Sequence, residues 1–496
     1  MKNIKTLLLV SVIAIGTLAS VSCTKNLDKI NVDPDNPAKV PTNTIFTGAN
    51  RSLFNYTRDG WWGARMTLPW MQYMAQNNYV TEDQYQYRET QAANGWGYLY
   101  RSAINYKDII EICENPARRA EAAVLGDIDN QISVSRIMMA YIFDILVTHF
   151  GDVPYWSYGQ RDNPNFQALN IESYMTVAYA TQEEIYADIL KELKEASQKL
   201  KLDQPVFRSG DKIYNGDANK WKKLANSLRL RIANRIKDVY PAANAEIEDA
   251  IKSGVFTSNA DNAIHLFTTS SAEASPFWRT FYVDNRTDFF VNRTFLKLLT
   301  GKTGGFGVDP RLYNVAAPKG LTFRVYNEQG YRDSEDMNDY PGMPYGLPTV
   351  ETYYQQIANI NIFAKDYLRA DRGEVMMEYS EVAFILSELN GWGQSEYENG
   401  VRANMERLRV PPASIAQFMS KLPSASMRNV LTQKYVTLFY NPDESWNEYR
   451  RTGYPDAEIL LMPGKKDTRP HDGTEYTFTP LRSGNVVASD LPARIR

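Results

Sequence analysis

The chain has 496 residues, of which 43% are hydrophobic, and this content is too high for a wholly disordered protein. Lys and Arg number 55 against 58 for Asp and Glu, which gives a formal net charge of -3. This balance offers no basic surface of the kind that binds nucleic acid.

The first 22 residues have the pattern of a lipoprotein signal peptide. Lys2 and Lys5 precede an apolar run from Leu7 to Leu18, which is shorter than the roughly 20 residues that a membrane-spanning helix needs. Small residues then lead directly to Cys23. We expect cleavage before Cys23 and lipidation of its thiol, the alternative being an ordinary secretory signal with an incidental cysteine.

Residues 23–43 predict an extended tether between the lipid and the folded part. They are polar and contain Pro34, Pro37 and Pro41, each of which disfavours helix at the residue before it. The only other cysteine, Cys113, lies in an apolar stretch, so we expect a core residue and no disulfide framework.

Helical periodicity recurs along the chain, with one apolar face on each segment. The predicted helices are Gln131–His149, Thr181–Leu200, Asn219–Val239, Glu374–Leu389 and Met427–Tyr440. Thr181 and Glu184 form a capping-box pattern at the start of the second. Because each apolar face needs a partner, the helices are expected in antiparallel pairs.

Between residues 253 and 373 the helical period is lost and Gly, Pro, Asn and aromatic residues mix. Long irregular segments of this kind are typical of binding surfaces. We therefore divide the folded part into a helical-pair scaffold at 44–252, a loop-rich ligand-facing region at 253–373, and C-terminal helices with an irregular tail at 374–496.

The sequence contains no recognisable catalytic motif, and we expect no catalytic residue, cofactor or metal ion. Gly301-Lys302-Thr303 lacks the earlier glycine of a phosphate-binding loop, and the three histidines lie far apart in the sequence. Asp33 and Asp35 are interpreted as solvated turn residues rather than calcium ligands. A pair of carboxylates suited to glycoside hydrolysis cannot be identified among 58 acidic residues.

Two groups of aromatic residues, mixed with Arg, Asn and Asp, are the candidate ligand site. Flat aromatic rings cover the apolar faces of sugars, and polar side chains bind their hydroxyl groups. The predicted contacts are Trp61, Trp62, Tyr87, Arg88, Asn94 and Trp96 in the first group, and Trp278, Tyr282, Asp284 and Arg286 in the second. The alternative for each aromatic residue is an ordinary place in the core.

Motifs spread along the chain resemble those of the SusD/RagB family of outer-membrane nutrient-binding lipoproteins. They run in family order as Gly151-Asp152-Val153-Pro154-Tyr155, Tyr214-Asn215-Gly216-Asp217, the helix from Lys220 to Ala233, Asp309-Pro310-Arg311-Leu312, Glu381 to Trp392, Gln433-Lys434-Tyr435, and Trp446 to Pro455. Gly151 is suited to a positive φ after a helix, and these motifs are interpreted as scaffold rather than ligand contacts.

The resemblance implies an all-α, tetratricopeptide-like helical-pair scaffold whose long irregular loops carry the ligand surface. It implies a lipid-anchored protein facing the cell exterior, with a TonB-dependent, SusC-like barrel as its partner. Most relatives bind oligosaccharides and one branch binds peptides. Three hypotheses follow: a non-enzymatic glycan-binding protein, which we favour, an oligopeptide receptor, and a surface hydrolase.

Overall fold

Helices make up most of the protein. The computed structural model describes residues 39–84, 89–174, 176–321, 330–347 and 357–460. Residues Met1–Pro41 form one unit and Thr42–Arg496 form a second, and all of the described helices and strands lie in the second. The predicted signal peptide and Cys23 lie outside the described residues.

The α-helices are α1 Thr42–Thr57, α2 Leu68–Trp70, α3 Glu89–Glu114, α4 Arg119–Leu125, α5 Ile128–Phe150, α6 Gln182–Lys199, α7 Ala218–Ile236, α8 Ala243–Ser253, α9 Pro276–Tyr282, α10 Arg293–Leu299, α11 Leu312–Val315, α12 Tyr379–Leu389, α13 Gln394–Arg407, α14 Pro412–Met419, α15 Met427–Thr437 and α16 Pro442–Thr452. A π-helical turn at Gly63–Thr67 leads into α2. The strands are β1 Met74–Gln76, β2 Ala263–His265, β3 Phe289–Val291 and β4 Glu374–Met377.

The first half of the protein is a stack of helices in chain order. Helix α1 packs on α3, α3 on α5, α5 on α6, α6 on α7, and α7 on α8. Side chains accept hydrogen bonds from the free backbone N–H groups at three of the helix starts. Asp127 and Asp217 cap α5 and α7, and Thr181 and Glu184 form the predicted capping box at α6. The stack is the helical-pair scaffold that the resemblance implied.

Helix α5 is the centre of this stack. It is long and apolar enough to cross a membrane, but nearly all of its most apolar stretch is buried inside the protein. It ends at Gly151, whose φ of 78° is the positive value expected there. Cys113 of α3 is buried in the same core, as predicted, and burial raises the pKa of its thiol to about 12.

Buried ion pairs tie the stack to the C-terminal helices. Arg235 of α7 contacts Asp144 of α5 at 2.5 Å and Glu444 of α16 at 2.6 Å. Arg231, one turn earlier, pairs with Glu381 of α12 at 2.5 Å. Arg231 and Glu381 both belong to the motifs named above. Because they form a buried ion pair between α7 and α12, their role in this structure is to hold the scaffold together.

One predicted helix begins too early. Glu374–Met377 is strand β4, which pairs with β2 in an antiparallel ladder, and the helix begins only at Tyr379. The spacing of apolar residues in this short run does not distinguish a strand from a helix. Pairing with the distant strand β2 determines that residues Glu374–Met377 are extended.

The pairing of β1 with β3 positions two loops that matter for the site. Met74 lies opposite Val291 and Gln76 opposite Phe289. The backbone N–H of Asn77 then bonds the carbonyl of Asp288 at 3.2 Å. The residues that follow β1 therefore lie beside those that precede β3, although some 200 residues separate them in the sequence.

Candidate functional site

The surface carries a groove with a cavity volume of about 620 Å³, which we name the Trp61 groove. Its walls are formed by α1, the turn after α1, the first turns of α3, and α9 together with Asp284 just beyond its end. The lining residues are Arg51, Asn55, Tyr56, Asp59, Trp61, Trp62, Asn94, Gly95, Tyr98, Pro276, Arg279, Thr280 and Asp284. Four aromatic residues and seven other polar or charged residues are thus brought to one place.

A second depression of about 780 Å³ adjoins this groove, and we name it the Tyr79 hollow. It is formed by the two loops that the β1–β3 pairing brings together. Its lining residues are Asn77, Asn78, Tyr79, Asp284, Asn285, Arg286, Thr287 and Asp288. Because Asp284 lines both depressions, they form neighbouring parts of one surface.

Asp59 holds the turn that presents the two adjacent tryptophans. Its Oδ1 accepts hydrogen bonds from the backbone N–H groups of Trp61 and Trp62, each at 2.8 Å. Burial raises the pKa of Asp59 to about 6, the two backbone N–H groups oppose the shift, and the nearby charge of Asp284 adds to it. Asp59 is therefore both a structural acceptor and a titratable group on the groove wall.

Trp61 and Trp62 are neighbours in sequence but lie in opposite environments. Trp62 is 3% exposed and packs near His149, with ring centroids 4.9 Å apart. Its indole N–H donates to Asp443 at 3.0 Å. Trp61 is 45% exposed, so its ring is the one available to a ligand.

Two arginines lie against both Trp61 and Tyr79. The guanidinium carbon of Arg65 lies 5.0 Å from the centre of the Trp61 ring and 5.3 Å from that of Tyr79. The corresponding distances for Arg286 are 5.2 Å and 5.6 Å. Tyr79 is 54% exposed. We call Trp61 and Tyr79 the aromatic platform, because both rings contact guanidiniums and about half of each side chain is still exposed to a ligand.

Acidic side chains fix these arginines in turn. Arg286 binds Asp288 in bidentate fashion, with distances of 3.0 Å and 2.8 Å. The buried Arg65 contacts the same Asp288 and also Glu82, both at 3.3 Å. The platform thus rests on a buried network of charges rather than on flexible loops alone.

Tyr56 of α1 and Tyr98 of α3 form a second aromatic feature of the groove. Their rings are stacked with centroids 3.3 Å apart and planes 4° from parallel. The guanidinium of Arg101 lies 5.2 Å from the Tyr98 ring. Burial, followed by the proximity of Tyr98, raises the pKa of Tyr56, so the Tyr56 hydroxyl group stays protonated and able to donate a hydrogen bond at neutral pH.

The structure brings together half of the predicted ligand-binding residues. Trp61, Trp62, Asn94 and Asp284 line the Trp61 groove, and Asp284 and Arg286 line the Tyr79 hollow. Three others, Trp96, Trp278 and Tyr282, line neither depression. Trp96 is partly buried against Tyr100 and Phe150, and Trp278 and Tyr282 pack on each other. Tyr87 and Arg88 lie outside the described residues.

Several groove residues were not singled out from the sequence. Arg51 and Asn55 lie four apart on α1 and so share a face, which is a weak signal that could have been read. Arg279 adjoins Trp278 of the second aromatic group in the sequence but was not among the predicted contacts. Tyr79 of the neighbouring hollow gave no local signal, because the pairing of β1 with β3 places it. Within the described ranges, no group of three or more His, Cys, Asp and Glu side chains is arranged to hold a metal ion.

Comparison with known proteins identifies the family. A SusD-like family profile, described as starch-binding and associating with the outer membrane, matches residues 34–471. A solved chitin-binding protein is 25% identical, with a TM-score of 0.66, and the match covers 84% of this chain and 87% of that one. No curated protein sequence matches the chain.

Two further solved structures show the same fold. A SusD homologue from Parabacteroides distasonis is 21% identical with a TM-score of 0.67, and 84% of this chain matches 85% of that chain. A chitin-binding SusD homologue from Flavobacterium johnsoniae is 21% identical with a TM-score of 0.63, and 83% of this chain matches 87% of that chain. Since the family profile spans most of the sequence and the fold agrees, this protein belongs to the SusD-like family, which associates with the outer membrane.

Proposed function

We propose that this protein captures oligosaccharides on the aromatic platform and in the Trp61 groove, without chemical conversion. The observation that carries the proposal is the exposed Trp61 ring, which is backed by two guanidiniums and stands beside polar groups. An aromatic face covers the C–H face of a sugar ring, and nearby carboxylates, amides and guanidiniums bind its hydroxyl groups.

The arrangement favours a ligand of several sugar units over a monosaccharide. The groove and the hollow adjoin at Asp284, and the platform residues Trp61 and Tyr79 belong one to each. The Tyr56–Tyr98 stack offers a further aromatic surface within the groove. The starch-binding description of the family and two solved relatives described as chitin-binding support a glycan as the ligand class.

We further propose that the protein is anchored through lipid on Cys23, faces the cell exterior and passes its ligand to a TonB-dependent, SusC-like transporter. The signal-peptide pattern before Cys23 and the outer-membrane association of the family support this placement. Cys23→Ser should then leave the protein outside the outer-membrane fraction. A Cys113→Ser variant is the matched control, because that cysteine is buried in the core and should not affect fractionation.

One observation favours a hydrolase as the second candidate. Asp59 and Asp284 are two carboxylates on one groove, and a pKa of about 6 for Asp59 would suit a general acid. Against this, Oδ1 of Asp59 is already held by the backbone N–H groups of Trp61 and Trp62, as expected of a structural turn residue. Release of reducing ends during long incubation with bound glycan would establish the hydrolase instead.

The deciding experiment is electrophoresis of residues 24–496 in native gels cast with a panel of polysaccharides. Retardation by at least one glycan, lost in Trp61→Ala, is the expected result. Trp96→Ala is the matched control, because Trp96 lies outside the groove. Equal retardation of Trp61→Ala and the parent protein would contradict the platform, and absence of retardation throughout would shift the assignment to the oligopeptide alternative.

A further inference from the structure

Two arginines of the Trp61 groove meet at a single backbone oxygen. Arg51 comes from α1 and Arg279 from α9, and both guanidiniums donate to the carbonyl of Ala272, the second at 3.1 Å. Both side chains line the groove and both are half-buried. The shared acceptor brings two positive charges close together on the groove wall.

These two arginines differ from the other arginines of the site in having no acidic partner. Arg65 and Arg286 pair with Glu82 and Asp288, whereas among the described residues no carboxylate lies within ion-pair distance of Arg51 or Arg279. The carbonyl of Ala272 uses only one N–H group of each guanidinium, so most of their donors remain available. Two neighbouring cations without a counterion repel each other, and an anion between them would relieve that repulsion.

The acidic residues of the groove do not pair with these arginines. Asp59 is tied to the turn that carries Trp61, and its charged neighbour is Asp284. Arg51 lies six residues before Thr57 at the end of α1, which is about 9 Å along the helix axis, and Asp59 lies beyond that end. The backbone N–H of Asp284 donates to the carbonyl of Arg279 at 2.9 Å, but among the described residues no carboxylate, that of Asp284 included, forms an ion pair with Arg279. The groove therefore holds a pair of arginines near Ala272 without a carboxylate partner.

We propose that Arg51 and Arg279 bind the carboxylate of a uronic-acid residue, so that the ligand is an acidic oligosaccharide. The inference rests on the proposed glycan-binding function and specifies its ligand class. Planar guanidiniums match the two oxygens of a carboxylate, and charge-assisted hydrogen bonds of this kind are about twice as strong as neutral ones. The neutral rings of the same chain would occupy the aromatic platform.

The test is titration calorimetry on the full chain purified in detergent. The probes are oligogalacturonate, oligomannuronate and glucuronic-acid-bearing xylo-oligosaccharides, each measured beside its carboxyl-reduced form, which has the same backbone without the charge. We expect at least one acidic probe to bind and its reduced form to bind at least about tenfold more weakly. Added salt should weaken binding of the acidic form only.

Charge-removing variants locate the effect. Arg51→Gln and Arg279→Gln should each weaken binding of the acidic probe by about tenfold, and Arg279→Lys should restore part of it by keeping the charge without the planar donor set. Arg161→Gln is the matched control. Arg161 pairs with Glu114 at the far end of α3, about 24 Å along that helix from Tyr98. Circular dichroism verifies that each variant is folded.

The possible results distinguish the acidic-ligand inference from the proposed glycan binding on which it rests. Equal affinity for acidic and reduced probes, or unchanged binding in both Arg→Gln variants, would overturn the acidic ligand while leaving glycan capture in place. Binding of no probe, acidic or reduced, would also overturn the acidic ligand, and the native gels with the polysaccharide panel then decide whether the protein captures glycans at all.

Discussion

The indole N–H of Trp62 donates a hydrogen bond to Oδ1 of Asp443 at 3.0 Å, although 381 positions separate the two residues. The other oxygen of Asp443 pairs with the buried Arg58, which lies just before the same tryptophan. One carboxylate on α16 thus fixes both the end of α1 and the turn that presents Trp61. The groove wall is in this way attached to the C-terminal helices.

The two adjacent tryptophans should respond differently to substitution. Trp61→Ala should abolish glycan binding and leave the free energy of unfolding nearly unchanged, because that ring is exposed. Trp62→Phe should instead destabilise the protein by about 1–3 kcal/mol, since Asp443 loses a buried donor. Denaturant unfolding and native-gel retardation, measured on both variants, distinguish the two roles. An unchanged stability of Trp62→Phe would contradict the structural assignment.

Asp443→Asn should cost about 3–5 kcal/mol, because the buried guanidinium of Arg58 would lose its counterion. Burial alone would raise the pKa of Asp443, but the charge of Arg58, with His149 and Trp62, holds it well below its ordinary value of 3.8. The stability from this pair is therefore present above about pH 4 and is lost as the pH falls below it.

The control for that variant is Asp456→Asn. Asp456 pairs with Arg428 at 2.7 Å, but both side chains are about one-third exposed. Solvent screening should limit the loss in free energy of unfolding to less than about 1 kcal/mol. Similar losses in the two variants would mean that burial does not set the strength of the Arg58–Asp443 pair.

The free energy of unfolding should depend on the titration of Asp59. Its pKa is raised to about 6 in the folded protein, so the protonated form is favoured there. The associated stability is fully present below about pH 4 and is lost as the pH rises through 6, an effect of about 1–3 kcal/mol. Asp59→Asn keeps an oxygen for the backbone N–H groups of Trp61 and Trp62 and should remove this part of the pH profile. Unfolding curves of both proteins at a series of pH values provide the measurement.

Two glycines on α3 offer a matched pair of substitutions. A Cβ at Gly95 would overlap the six-membered ring of Trp62, whereas one at Gly97 would meet nothing within 4 Å. Gly95→Ala should destabilise the protein by about 1–3 kcal/mol and disturb the groove. Gly97→Ala should be neutral or stabilise the helix by up to about 1 kcal/mol. Thermal unfolding of the two variants tests the packing directly, and equal effects would argue against it.

The helical scaffold could be predicted from the sequence because its signals are local. The apolar stripe of Asn219–Val239 and the capping box at Thr181 and Glu184 depend on residues a few positions apart, and the structure contains both helices. The failure at Glu374–Met377 has a physical cause. Its conformation is determined by pairing with β2, more than one hundred residues earlier in the chain.

The candidate site was only partly accessible to sequence reasoning. Trp61 stood out because aromatic and polar residues cluster around it in the sequence. Tyr79 joins it through the β1–β3 pairing, and Arg279 reaches Arg51 only through the carbonyl of Ala272. The choice of Trp61 rather than Trp62 as the exposed ring depends on the contact with Asp443, which no local pattern encodes.

The guanidiniums behind Trp61 also bear on the entropy of ligand capture. A free tryptophan or tyrosine on a loop would lose about 0.5–1.5 kcal/mol of conformational entropy when a ligand immobilised it. Arg65 and Arg286 hold the Trp61 and Tyr79 rings before any ligand arrives, and Asp288 holds both arginines. This ordering is completed during folding, so a ligand on this surface would meet rings that are already in place. The entropy cost of ordering the rings would then be absent from binding, which would let a shallow, open surface hold a ligand.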